Sequence, residues 1–394
     1  MDLATLIVVG LVIVTALVFD FTNGFHDTAN AMATSIATGA LKPKTAVALA
    51  GVLNVVGAFL STEVAKTISG GIINEQQVAI SAEFILAGLI GAIVWNLITW
   101  LVGLPSSSSH ALMGGLVGAV TVGAGVEGVN FLVVIQKIFI PALVSPLIAG
   151  LAAWLAVKLV FRIVRGVGDS QVAEGFRHGQ TVTACLVALS HGTNDAQKTM
   201  GIITLALIAA GIQPSGSGPE FWVVVACGVT IALGTYMGGW RVIRTLGRGL
   251  TEITTPQGFA AEAASATTIL ASSHMGFALS TTQVCSGSII GSGLGKRGSV
   301  VNWSIAGKML IAWIVTFPAA GAVGAIACAV AKTGFSGTVL MVILAAAIAI
   351  GILARSRRDS VDATNVNDAS GTRVAEPSIP EARIVDQGAV VGHA

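Results

Sequence analysis

The chain consists of long apolar segments separated by short polar stretches. Eleven such segments can be traced, at about residues 3–38, 45–62, 82–104, 106–125, 131–161, 181–209, 221–240, 259–276, 280–295, 303–331 and 338–354. An α-helix of about 20 residues crosses the hydrocarbon core of a bilayer, and several of these segments are longer. The pattern therefore predicts an all-α polytopic membrane protein whose longest segments are tilted, broken or folded back.

Two of the segments carry a polar motif that contains an acid. The first reads Asn-Gly-Phe-His-Asp-Thr-Ala-Asn and includes Asp27, and the sixth reads His-Gly-Thr-Asn-Asp-Ala-Gln-Lys and includes Asp195. A carboxylate inside an apolar segment is costly to desolvate, so the pair indicates an ion site. We expect both helices to be broken where the motifs begin, at residues 23–24 and 191–192, because a ruptured helix in a membrane must face a cavity or a ligand.

The two motifs belong to an internal repeat. Asp27 and Asp195 are 168 positions apart, and further landmarks recur in the same order at nearly that spacing. They are the serine-rich runs 104–110 and 277–283, the triplets 129–131 and 301–303, and Pro146 with Pro318. The chain therefore divides into a first repeat (1–161), a linker (162–180), a second repeat (181–354) and a tail (355–394) whose lack of apolar pattern predicts disorder.

Loop charge predicts that the two repeats are inverted. Glu63 and Glu83 border a loop of the first repeat, whereas the matching loop of the second carries Arg241, Arg244 and Arg248. Basic loops stay in the cytoplasm, so these two loops are expected on opposite sides of the membrane. The interpretation is a pair of inverted-topology repeats with broken helices and re-entrant serine-rich segments, with the amino terminus outside and the linker and tail in the cytoplasm.

Composition agrees with a membrane location. Hydrophobic residues make up 54% of the chain and charged residues 10%, with a mean hydropathy of +0.85, whereas a typical soluble domain has about 25% charged residues. A net charge of +2 gives no reason to expect a nucleic-acid partner. The four cysteines lack Cys-x-x-Cys spacing, so neither a disulfide framework nor a zinc site is indicated, and we expect no cofactor.

Three strings carry a family resemblance. NGFHDTANA, SHGTND followed by Gln-Lys, and GLPSSSSHALMGG resemble signatures of the inorganic phosphate transporter (PiT) family, specifically its bacterial low-affinity Pit branch. The resemblance covers roughly residues 5–354 and implies a symporter of the cell membrane, not an enzyme, that moves inorganic phosphate with a cation. The sequence departs from the family pattern at Ala278 and Gln283, which replace Pro and His, and at Thr193, where Ala is commoner.

The resemblance also bears on the coupling ion. Members with an Asn-Asp pair in both halves are associated with sodium, whereas the His-Asp form at His26 resembles the branch that is described as proton-coupled and able to carry metal–phosphate complexes. His26 and His110 can titrate near neutral pH, and the second repeat has Asn194 and Gln283 in their places. This asymmetry favours a proton. A neutral, hydrogen-bonded histidine is the alternative, His191 is expected to be structural, and a homodimer is left open.

Two hydroxyl runs form the candidate phosphate site. Each begins an apolar half-helix, where hydroxyls and free backbone N–H groups at a positive helix terminus suit an anion. We expect phosphate to contact Ser107, Ser108, Ser109, Ser280, Thr281 and Thr282, with Lys198 and Gln197 as further candidates. The alternative is that the hydroxyls merely satisfy carbonyl groups of neighbouring helices.

The two acids are expected to bind the coupling ion, because a carboxylate cannot itself hold an anion. With amide oxygens from Asn23, Asn30 and Asn194 nearby, Asp27 and Asp195 each make a cage for a sodium ion, or each carries a proton. A buried ion pair between the second acid and the lysine three residues further on is the alternative.

Other classes of function fit the sequence less well. A hydrolase is disfavoured because neighbouring helix residues do not face each other and a nucleophile has no reason to be duplicated. A channel is disfavoured because paired, inverted half-helices suit alternating access better than a continuous pore. Among transporters the rival is a sulfate permease of the same architecture.

Overall fold

The computed structural model describes residues 3–74 and 81–368 of the chain. Within these residues the chain forms α-helices and no sheet. The helices are α1 (Leu3–Ala37), α2 (Pro43–Ala58), α3 (Glu63–Gly71), α4 (Ala82–Leu101), α5 (Ser108–Ala124), α6 (Phe131–Val134), α7 (Ile140–Ile163), α8 (Asp169–Ala209), α9 (Phe221–Met237), α10 (Trp240–Arg244), α11 (Thr255–His274), α12 (Thr281–Gly295), α13 (Trp303–Ala331) and α14 (Phe335–Ser356). The all-α fold expected from the apolar pattern is confirmed.

Several helices are long and apolar enough to cross a membrane. Among the described residues there are five: Thr5–Ala37, Ala82–Leu101, Phe131–Ile163, Trp303–Ala331 and Phe335–Asp359, or up to seven if the bent pairs α2–α3 and α9–α10 each count as one span. Large apolar side chains such as Leu147 and Ile314, 73% and 66% exposed, face outward from this bundle, as lipid-facing residues do. By contrast, α5 and α12 have 17 and 15 residues, which suits re-entrant segments.

Equivalent helices of the two repeats pack reciprocally. α5 lies along α13 and α12 lies along α7, so the serine-rich helix of each repeat packs on the long helix that follows the serine-rich helix of the other. In the same way α1 packs on α9, while α2 packs on α8. Glycines bring the backbones together, with Gly118 of α5 against Gly321 of α13 and Gly291 of α12 against Gly150 of α7. This exchange is the packing expected of two structural repeats.

The loops that precede α5 and α12 enter the bundle from opposite ends. The first, residues 102–107, begins beside Arg241, where the Thr245 hydroxyl donates to the Gly103 carbonyl at 2.7 Å. The second, residues 275–280, begins beside Glu63. α9 runs between these two ends and is about 25 Å long. We call them the Arg241 end and the Glu63 end; the side of the membrane that each faces stays a prediction.

The prediction that α1 and α8 are broken within the two polar motifs is wrong. α1 continues through residues 23–24, and α8 continues through residues 191–192. Gly24 and Gly192 instead mark helix crossings, because a Cβ atom at either position would collide with a backbone carbonyl oxygen, of Ile231 on α9 or of Asn54 on α2. The observed bends lie elsewhere, 66° between α2 and α3 and 62° between α9 and α10.

Part of the expected linker and tail is ordered. α8 already begins at Asp169, within residues 162–180. Beyond α14, Arg244 donates to the Asn365 carbonyl at 2.7 Å, and Val366 is buried with 1% exposure beside α1. The disorder expected from residue 355 onward is therefore not seen up to residue 368, because these contacts anchor the turn. Residues 369–394 lie outside the described residues.

Candidate functional site

Asp27 and Asp195 share one site in the interior of the bundle. Both acids are buried, and one carboxylate oxygen from each, together with one ring nitrogen of His191, lie within 4.8 Å of one another. The sequence suggested a separate cage around each acid. The structure brings the two together because α1 packs along α8 with the motif faces in contact.

The Asp27 carboxylate accepts hydrogen bonds from both re-entrant motifs. The Ser108 hydroxyl at the start of α5 donates to Oδ2 at 2.5 Å, and the Thr282 hydroxyl of α12 donates to Oδ1 at 3.3 Å. His26 Nδ1 lies 2.6 Å from Oδ1, and its Nε2 lies 3.3 Å from the Ser106 hydroxyl. The first acid is thus held by residues of both repeats and by its neighbouring histidine.

The Asp195 carboxylate has a different set of partners. Lys198 Nζ donates to Oδ1 at 2.5 Å, Asn194 Nδ2 donates to the same oxygen at 2.7 Å, and the Thr281 hydroxyl donates to Oδ2 at 3.2 Å. His191 Nε2 lies 3.2 Å from Oδ2, although not in hydrogen-bond geometry. His191, which was expected to be structural, therefore lies in the site. The ion pair between Asp195 and Lys198, which was the alternative to an ion site, is present in the structure.

Further hydrogen bonds join the two repeats across the site. Lys198 Nζ also donates to the Ser109 hydroxyl at 2.5 Å, and that hydroxyl donates to the Leu279 carbonyl at 3.1 Å. Asn30 Nδ2 donates to the hydroxyls of Thr281 and Thr282 at 3.2 and 3.0 Å. The site therefore includes side chains of α1, α5, α8 and α12.

Two serines set the starts of the re-entrant helices. Ser107 is the N-cap of α5, where its hydroxyl accepts from the His110 backbone N–H at 3.2 Å. Ser280 is the N-cap of α12, where its hydroxyl accepts from the Gln283 backbone N–H at 3.3 Å. These caps fix two helix N-termini beside the carboxylates, and the positive end of a helix dipole favours negative charge there.

The side chains of three sequence-predicted site residues take no part in the hydrogen bonds described so far. Gln197 Oε1 accepts from the Val64 N–H at 2.8 Å and so caps α3. His110 Nδ1 lies 3.5 Å from the side-chain nitrogen of Gln283. Asn23 is fully buried, and neither of its amide atoms has a partner among the described residues.

Sequence reasoning missed two further buried acids. Glu262 on α11 accepts hydrogen bonds from Thr34 at 2.5 Å and from Thr183 at 2.7 Å. Asp20 on α1 accepts from the Thr199 hydroxyl at 2.8 Å. Each is a single acid in an apolar segment, and that signal was present in the sequence. Neither acid has a counterpart in the other repeat, so the duplication does not mark them as site residues.

Comparison with known proteins places the chain among phosphate transporters. Residues 23–324 match the profile of the phosphate transporter family. A probable low-affinity inorganic phosphate transporter of Mycobacterium bovis is 55% identical over 360 residues, which cover 91% of this chain and 86% of that protein. One of Bacillus subtilis is 44% identical, with 83% and 98% covered. These relatives are transporters, so the expectation that the chain is not an enzyme is confirmed.

The fold has a counterpart among solved structures. A structure described as the sodium-dependent phosphate transporter superposes with a TM-score of 0.74 at 24% sequence identity. The superposition covers 83% of this chain and 99% of that one. The likeness supports the polytopic helical fold.

Proposed function

Because this chain belongs to the phosphate transporter family, we propose that it is a low-affinity inorganic phosphate symporter driven by protons. Family membership confirms the resemblance carried by the three sequence strings. The observation that carries the proposal is the hydrogen bonding of Asp27 and Asp195 by hydroxyls from both re-entrant motifs. We further propose that the protein lies in the cytoplasmic membrane with its amino terminus outside and its carboxyl terminus inside.

The shared hydroxyls provide a physical basis for coupling. A serine or threonine hydroxyl has one hydrogen, so Ser108 and Thr281 cannot donate to phosphate and to a carboxylate at the same time. Phosphate that binds at the starts of α5 and α12 therefore takes donors away from Asp27 and Asp195. A buried carboxylate that loses its donors is destabilised unless it gains a proton or a cation. The anion and the cation are therefore stabilised together.

The net charge of the site also supports binding of phosphate together with a cation. Two ionised carboxylates and the Lys198 ammonium leave one net negative charge, which repels phosphate in a medium of low dielectric constant. Lys198 already contacts both an acid and the serine of the phosphate motif, each at 2.5 Å. It can therefore turn toward a bound phosphate without leaving the site. Protonation of one carboxyl removes the excess negative charge.

The proton is favoured by the groups next to the acids. His26 lies 2.6 Å from Asp27 and can exchange a proton with it, whereas the matching position beside Asp195 is Asn194, which cannot. Sodium is the second candidate. It is supported by the convergence of ligand atoms from Asp27, Asp195 and His191. It is also supported by the side-chain oxygen Oδ1 of Asn30, which is buried and has no partner among the described residues.

The test is uptake of labelled phosphate into vesicles that contain the purified protein. We expect accumulation under an inward proton gradient without sodium, loss of accumulation with a protonophore, and competition by arsenate but not by sulfate. Accumulation that needs sodium and survives the protonophore would replace the proton with sodium. Competition by sulfate would favour the sulfate permease, and faster uptake of phosphate with magnesium would indicate a metal–phosphate complex.

A further inference from the structure

Asp20 is a buried acid that the duplicated motif does not explain. It lies on α1 seven residues before Asp27, so the two carboxyls share one helix face and are separated by about 10.5 Å along the axis. Its exposure is 0%. At the 168-residue offset of the motifs, the corresponding residue of the second repeat is Ala188, which is also buried. Asp20 is therefore an acid of the first repeat alone.

The hydrogen bonding of Asp20 is incomplete. Thr199 donates to Oδ1 at 2.8 Å, whereas Oδ2 has no partner in the part of the chain that the structure describes. Asn23 follows one turn later on the same face, between the two acids in sequence, and both of its amide atoms are also unpaired. This stretch of α1 thus presents a carboxyl oxygen and, one helical turn later, an amide, both buried and both without a partner among the described residues.

The charges around Asp20 do not neutralise it. α4, α8 and α9 pack against α1. The charged groups that face Asp20 are Asp195 and Lys198 of α8, and Cys227 of α9 is another titratable neighbour. α4 has one ionisable side chain, Glu83, in its first turn. Lys198 is already bonded to Asp195 and to a serine of α5, so no cation among the described residues is paired with Asp20.

We propose that Asp20 is a second proton-binding site, which carries a proton of its own in each transport cycle. Oδ2, which has no partner among the described residues, is the oxygen that takes the proton. A buried carboxyl without a cation is stabilised by binding a proton, and intramembrane acids of this kind serve as proton carriers. No other bond forms or breaks. The inference rests on the proposed proton coupling.

The predicted topology gives this site a place in the transport cycle. The amino-terminal half of α1 is expected to lie toward the outside, and residues 3–19 contain no ionisable side chain. Asp20 is then the first acid that a proton from outside meets on α1. The deeper pair, Asp27 and Asp195, lies further along the same path.

The experiment measures protons and phosphate that enter the same vesicles, with a pH-sensitive dye and labelled phosphate. The proteins are the wild type, Asp20→Asn, Asp20→Glu and Thr199→Val. We expect Asp20→Asn to take up one proton fewer per phosphate and, under an inward gradient of about one pH unit, to accumulate about tenfold less phosphate. Phosphate exchange without a gradient should be unchanged. Asp20→Glu and Thr199→Val, which retain a carboxyl, should keep the wild-type ratio.

The outcomes separate this inference from the proposed function. If Asp20→Asn takes up as many protons per phosphate as the wild type, the second proton site is overturned and the proposed proton coupling is not affected. Loss of exchange in Asp20→Asn would also overturn it, because a residue that only carries a proton is not needed for exchange. A wild type that accumulates phosphate with sodium and takes up no protons would overturn both.

Discussion

Lys198 and Asp195 form an ion pair that is sealed from solvent, with Nζ 2.5 Å from Oδ1 and neither side chain exposed. The attraction between the two charges is largely offset by their desolvation, whereas a single buried charge left without its partner costs about 3–5 kcal/mol. We therefore predict that Lys198→Met and Asp195→Asn each lower the free energy of unfolding by about that amount.

The double variant tests the pairing. Lys198→Met combined with Asp195→Asn should unfold near the wild type, because no unpaired charge is left behind. Unfolding in detergent, followed by circular dichroism, measures all four proteins. If the two single losses simply add in the double variant, the two side chains are not coupled and the pair does not explain their burial.

A second prediction concerns the glycines of the polar motifs. Gly24→Ala and Gly192→Ala place a methyl group against a backbone carbonyl at the α1–α9 and α2–α8 crossings, and should destabilise the protein by about 1–3 kcal/mol. Gly10 of α1 and Gly175 of α8 have nothing within 4 Å of an added Cβ, so their alanine variants are matched controls. The controls should be neutral or stabilising by up to about 1 kcal/mol. Equal effects at crossings and controls would contradict the crossing account.

These glycines also show that the sequence alone could not distinguish a helix break from a helix crossing. The duplicated motifs and the paired serine-rich runs could be recognised in the sequence because each occurs twice at nearly constant spacing. An Asn-Gly or His-Gly step, in contrast, looks the same whether the helix breaks or another helix crosses there. Only the tertiary packing, of α1 on α9 and of α2 on α8, distinguishes the two.

The composition of the site was partly predictable. The sequence identified Asp27, Asp195 and the hydroxyl runs, but not that both acids share one site, since this depends on α1 packing along α8. Gln197 has the right chemistry and position in sequence for a phosphate contact, yet it caps α3. Its role depends on where α3 lies, and no local pattern specifies that.

A third prediction tests the shared hydroxyls. Thr282 donates to Asp27 and accepts from Asn30, and Thr282→Val removes the hydroxyl while it keeps the shape of the side chain. Loss of one hydrogen bond to a charged group costs about 1.5–3 kcal/mol, so phosphate affinity should fall about ten- to hundredfold. Thr282→Ser keeps the hydroxyl and should bind like the wild type. Calorimetry measures both; unchanged affinity in Thr282→Val would remove this hydroxyl from the phosphate site.

A fourth prediction tests the inverted topology. Lys44, in the first turn of α2, and Glu220, the residue before α9, are exposed at corresponding places after the first helix of each repeat. They lie near the Arg241 and Glu63 ends respectively. In a background without native cysteines, an impermeant maleimide applied outside cells should label Glu220→Cys and not Lys44→Cys. Permeabilised cells should label both. Labelling of the two cysteines from the same side would contradict inversion.

The central claim is that phosphate accumulation is coupled to protons through the shared acids. The most direct measurement compares the wild type with Asp27→Asn and Asp195→Asn in sodium-free vesicles under an inward proton gradient. We predict that the wild type accumulates labelled phosphate and loses it on addition of a protonophore, while neither variant accumulates it, because an amide keeps the shape of the side chain but cannot bind the proton. Proton-driven accumulation at the wild-type level in either variant would contradict the account, as would accumulation by the wild type that requires sodium and ignores the proton gradient.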